Sequence, residues 1–97
     1  MQSLPGDAVP RAALAALRQA PRVYRGTSLK GTRVVDASLA QASDADYPRV
    51  KCGRRAQRRT VVVRLDFPAM RPSASMSQGT VLVSRFDGSY RVWAQLH

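Results

Sequence analysis

The densest chemistry in this chain is guanidinium. Between Arg49 and Arg64, seven of sixteen positions are basic and none is acidic: Arg49, Lys51, Arg54, Arg55, Arg58, Arg59 and Arg64. The other eighty-one residues hold nine basic and six acidic groups, only +3 of the chain's total of +10. The excess charge is therefore local. Four of these arginines sit in Arg54-Arg55-Ala-Gln-Arg58-Arg59, where they repel one another without a counterion. Each can fork onto a phosphate through two parallel hydrogen bonds. Neutralised phosphates also release condensed cations, which drives binding. A solvated basic face that aids solubility is the plainer role for a charge run. Density and missing acids favour a polyanion, with nucleic acid (RNA or DNA) the expected partner. The excess of Arg over Lys, fourteen to two, weighs less. A chain without Ile, Asn or Glu carries the bias of a GC-rich coding sequence.

A second candidate feature is aromatic. Trp93, Phe86 and Arg91 are expected to share one face of the last hairpin, where rings interleaved with Arg can stack exposed bases. The chain has few aromatics, so the competing role is structural, with Trp93 and Leu82 packing against a helix as a second core.

Catalytic chemistry has little to work with. The single histidine is His97, so a serine triad lacks a positioned base. Asp44 and Asp46 are the only close carboxylates, with no further ligands spaced to complete a cation site. Cys52 lies between Lys51 and Gly53. Nearby cations favour its thiolate, but a half-buried structural cysteine is the simpler reading. One cysteine also excludes a disulfide within the chain and a cysteine-based zinc cluster. No Gly-rich phosphate loop of known spacing is present. The expectation is a protein that is not an enzyme and needs no metal or cofactor.

These groups must be held by one small domain of ninety-seven residues, 44% hydrophobic. Residues 1–6 read as a loose terminus and 8–20 as a short amphipathic helix, with Pro10 tolerable in the first turn and Pro21 stopping it. Leu14 and Leu17 with Ala13 form its expected apolar face, and Arg11 and Arg18 a neighbouring one. About three turns do not persist alone in water, so the helix must dock. It is Arg-bearing and poor in acids, as mitochondrial presequences are. A docked structural helix is the reading preferred, with organellar targeting left open.

From residue 22 to 97 the pattern is β-rich. Strands are expected at Arg22–Thr27, Thr32–Asp36, Arg49–Arg54, Arg59–Phe67, Thr80–Phe86 and Ser89–Leu96. Ala37–Asp46 suggests one helical turn, Gly53–Arg58 a hairpin tip, and 68–79 a mobile loop. Asp87-Gly88 between alternating runs predicts a type I′ hairpin. That register sets Arg85 opposite Tyr90, Val83 opposite Val92 and Val81 opposite Ala94. On the other face it sets Leu82 opposite Trp93 and Ser84 opposite Arg91. The predicted class is mainly β (small α+β): one N-terminal helix, then an antiparallel meander or small barrel of five to six strands.

One stretch resembles a known family. Tyr47, Val50, Cys52, Ala56-Gln57-Arg58-Arg59 and the alternating Val61–Phe67 run ending at Pro68 are similar to the central strands of small RNA-bacteriophage coat proteins. In those proteins the strands help form a sheet over the genome that holds an RNA hairpin. The resemblance implies RNA contacts at Lys51, Arg54, Arg58 and Arg64. It covers about twenty residues, and the pair of long helices that follows the sheet in that family has no counterpart here.

Together these readings lead to a basic nucleic-acid-binding protein that grips phosphates through an Arg-rich β-hairpin. One alternative is a structural or assembly subunit of a virion, phage particle or ribonucleoprotein, forming a homo-oligomer or larger assembly. Another is an inhibitor that occupies an acidic groove on a partner. No apolar run approaches the ~20 residues of a membrane span. No membrane partner is expected, and the expected location is intracellular (cytoplasmic) or in a virion.

Overall fold

The computed structural model describes residues 2–24, 31–40, 59–68 and 78–96. Their order is α1 (Ala8–Val23), β1 (Arg33–Leu39), β2 (Thr60–Asp66), β3 (Gln78–Phe86) and β4 (Ser89–Leu96). The strands form one antiparallel sheet in sequence order, with β1 and β4 as its edges. The fold is mainly β, as the patterning predicts. Four strands in an open sheet replace the expected five to six strands or barrel among the described residues. The expected strand Arg49–Arg54, the tip Gly53–Arg58 and most of the loop 68–79 lie outside the described residues.

α1 runs three residues beyond its predicted end. Pro21 lies within it, and Arg22 and Val23, expected to begin a strand, complete its last turn. Pro21 forfeits one backbone bond, to the Leu17 carbonyl, and only two helical residues follow it. The Tyr24 N–H still bonds the Ala20 carbonyl at 2.8 Å. Packing of Ala20 and Tyr24 on the sheet outweighs the local penalty.

The docking face of α1 also differs from expectation. The buried stripe is alanine: Ala8, Ala12, Ala15, Ala16 and Ala20. Leu17 flanks it, and Leu14 is 54% exposed. Small side chains bring the helix axis close to the sheet, where Val61, Val63, Leu65, Phe67, Val81 and Val83 meet it. The alternating face of β2 is thus read correctly from sequence, and the helix face opposite it is not.

The Asp87-Gly88 turn forms as predicted, with φ of 50° and 80°. Beyond it, Arg85↔Tyr90, Ser84↔Arg91 and Val83↔Val92 pair as expected. A bulge then inserts Trp93, so Leu82 faces Ala94 and Val81 faces Gln95. A second bulge lies at Val35 in β1, between Val34 and Asp36. β1 continues through Ala37–Leu39, where a helical turn was expected to begin, because these residues pair with Val61–Val63. β3 begins at Gln78, which shortens the expected 68–79 loop. Within the stretch read as a loose terminus, the Gln2 N–H bonds the Arg85 carbonyl at 2.8 Å. Its side chain accepts a 2.7 Å bond from the Gly88 N–H.

Where α1 ends, Tyr24 folds over the start of β3. Its ring meets Phe67 edge-on, centroids 4.8 Å apart. A Cβ built on Gly79 would lie 2.3 Å from Tyr24 Oη, 2.6 Å from its Cζ and 3.0 Å from Phe67 Cε2. Only a residue without a side chain leaves room for both rings. The Tyr24 hydroxyl is buried without a hydrogen-bond partner among the described residues, and burial pushes its pKa up to about 12.

Two outcomes follow from this corner. Gly79→Ala is expected to destabilise the fold by about 1–3 kcal/mol, the cost of overpacking, measured by urea unfolding. An unchanged midpoint would overturn the close approach. The folded chain keeps the Tyr24 proton in a range where the unfolded chain, with an ordinary pKa near 10, has lost it. This contribution is present below about pH 10 and drains away between about pH 10 and 12. Tyr24→Phe is expected to match or exceed wild-type stability at neutral pH, since it deletes an unpaired buried hydroxyl. It should also lose less stability across that alkaline window. An equal or steeper alkaline loss in the variant refutes the assignment.

Candidate nucleic-acid interface

Of the expected basic cluster, Arg59 and Arg64 fall among the described residues. Arg49, Lys51, Arg54, Arg55 and Arg58 lie outside the described residues. Arg59 immediately precedes β2 and is half-buried, and Arg64 is exposed within β2. Arg64 Nη1 donates to Asp36 Oδ2 at 2.8 Å across to β1. Beside it, Arg33 Nε donates to Asp66 Oδ2 at 3.3 Å. These two pairs share a face because of the bulge. Three residues separate Arg33 from Asp36, which in a regular strand would put them on opposite faces. The extra residue Val35 restores them to one face, opposite Asp66 and Arg64.

That face points away from α1. Thr60, Val62, Leu82 and Ser84 are all buried on it. The coat-protein resemblance implies an open sheet face toward RNA, and the middle of this face is not open. Of its implied contacts, Lys51, Arg54 and Arg58 lie outside the described residues. Arg64 is exposed at the margin and engaged by Asp36.

Register places Trp93, Phe86 and Arg91 on this same second face, as predicted. The Trp93 indole N–H donates to Ser84 Oγ at 2.8 Å, and Ser84 Oγ lies 3.2 Å from Thr60 Oγ1. The bulge aims the ring: it takes Trp93 out of step with Leu82 and sets it beside Ser84. The competing structural role, packing of Trp93 and Leu82 against the helix, does not occur, because α1 covers the opposite face. Trp93 and Phe86 are half-buried and Arg91 is exposed.

On the α1 side, a groove runs between the helix and the edge strand β4. Gln19 spans it. Its Nε2 donates to the Tyr90 carbonyl and its Oε1 accepts from the Val92 N–H, both at 2.8 Å. A single side-chain amide thus stands in for a neighbouring strand at the sheet edge. Arg11, Arg18 and Arg22 from the helix line this groove, with Arg91 from β4. Arg85 joins Arg11 and Asp7 at the end near Gly88. Sequence reasoning placed only Arg91 among candidate contacts. The seven-residue step from Arg11 to Arg18 was legible as a shared face, and the four-residue step to Arg22 extends it. What was missing was the strand opposite.

Among the described residues, no three His, Cys, Asp or Glu side chains come together as metal ligands. No described helix is long and apolar enough to cross a membrane.

Gln19→Ala is expected to cost about 1–2 kcal/mol by leaving the Tyr90 carbonyl and Val92 N–H without their partner. In contrast, Asp36→Asn should cost under about 1 kcal/mol, because both members of its ion pair are half exposed. Denaturation midpoints of the two variants check the ranking, and a reversed order refutes it.

No protein family, curated protein or solved structure matches this chain.

Proposed function

We propose that this protein binds nucleic acid without catalysis, gripping phosphates through the basic segment Arg49–Arg64. The observation that carries the reading is charge: seven basic groups in sixteen positions with no acid among them. The placement of acids elsewhere supports it. Of the four described aspartates, Asp7 pairs with Arg11, Asp36 with Arg64 and Asp66 with Arg33. Those carboxylates serve the fold and leave the net +10 for a partner. Most of the affinity comes from phosphate contacts, so sequence preference is weak. The half-buried rings of Trp93 and Phe86, with Arg91 beside them, supply stacking for exposed bases.

The test is a titration against fluorescent single-stranded and duplex DNA and RNA at several salt concentrations. Log affinity is expected to fall with log salt at a slope of about −3 to −6. Replacing Arg54, Arg55, Arg58 and Arg59 with Ala should remove most binding while the circular dichroism spectrum stays unchanged. Trp93 is the only tryptophan, so its emission reports on stacking directly. Quenching on a single strand supports the stacking role, and an unchanged signal removes it. Wild-type protein that binds none of the four probes at low salt overturns the reading.

A further inference from the structure

We infer that the groove between α1 and β4 is a second nucleic-acid contact, taking the phosphate backbone on Arg18 and Arg22. The inference rests on the nucleic-acid reading above and adds a site on a different part of the molecule. Steps of seven and four residues return a helix to nearly the same side. Arg11, Arg18 and Arg22 therefore form a row along α1, spanning about 16 Å at ~1.5 Å per residue. β4 forms the opposite wall. Arg11, Arg18 and Arg22 are all exposed.

Charge accounting sets this groove apart from the rest of the surface. On the second face of the sheet, Arg33 and Arg64 each meet an aspartate directly across the ladder. Among the described residues, Asp7 is the only acid in the groove lining, and Arg11 engages it. Arg18 and Arg22 have no ion-pair partner among the described residues. Two guanidinium groups one turn apart on the same side of α1 repel one another until an anion enters. Gln19 is held to the strand through one donor and one acceptor, which fixes the floor between the two walls. A concave row of forked donors suits a chain of phosphates better than a flat anionic surface.

The experiment compares wild type, a variant of the basic segment with Arg54, Arg55, Arg58 and Arg59 replaced by Ala, and a groove variant with Arg18→Ala and Arg22→Ala. Each is titrated with single-stranded and duplex oligonucleotides across salt. The groove variant is expected to bind more weakly, with a salt slope reduced by about 1.5 on single strands and nearly 2 on duplex. In parallel, wild-type protein is treated with an arginine-selective dicarbonyl reagent with and without oligonucleotide, then read by mass spectrometry. Protection of Arg18 and Arg22 is the expected result, and it does not depend on how the variant folds. Unchanged affinity and slope in a folded groove variant, or equal modification with and without oligonucleotide, overturns this inference alone. Absence of any wild-type binding overturns the proposed function and this site with it. Binding of polyglutamate in preference to oligonucleotides assigns the groove to an acidic protein and also overturns it.

Discussion

The distance between α1 and the sheet governs the rest of this structure. Five alanines on the helix form the buried stripe against the valines of β2 and β3, with Val9, Leu17 and Val23 only partly buried beside it. At that separation Gln19 reaches the backbone of β4, and the end of the helix delivers Tyr24 over Gly79. Both contacts fail if the helix rides higher. The groove follows from the same constraint: its wall of arginines stands at the helix's flank because the stripe beneath is occupied by methyl groups.

Two bulges divide the labour of the faces. In β1 the extra residue Val35 lets Arg33 and Asp36 share a side, so charges of opposite sign meet across the ladder with β2. In β4 the extra residue Trp93 turns its indole toward Ser84. Each bulge converts an alternating pattern into a local pair. Three of the four described carboxylates are consumed in these pairs and at the start of the helix, so the cationic surplus collects elsewhere.

Legibility in the sequence tracks how local the cause is. The β2 alternation and the Asp87-Gly88 turn are decided within a few residues, and both were read correctly. The docking face of α1 was misread because Leu14 and Leu17 are larger than alanine, and size was taken as the sign of burial. The sheet decides otherwise, since close packing rewards the flatter face. Neither bulge is written in residue type: Val35 and Trp93 are ordinary strand formers, and only pairing with the neighbour reveals the slip. The basic cluster was conspicuous because it is contiguous. The groove was not, since its arginines come from residues 11–22 and 85–91 and meet only through the fold.

The Gln19 amide bonds partners seventy-one positions away in the chain, and the Gln2 side chain meets Gly88 across eighty-six. A growing chain therefore makes α1 long before it makes the strand that receives it. An alanine-rich helix of sixteen residues is marginal by itself in water. Its seat on β2, β3 and the backbone of β4 is assembled entirely from chain that lies far downstream of it.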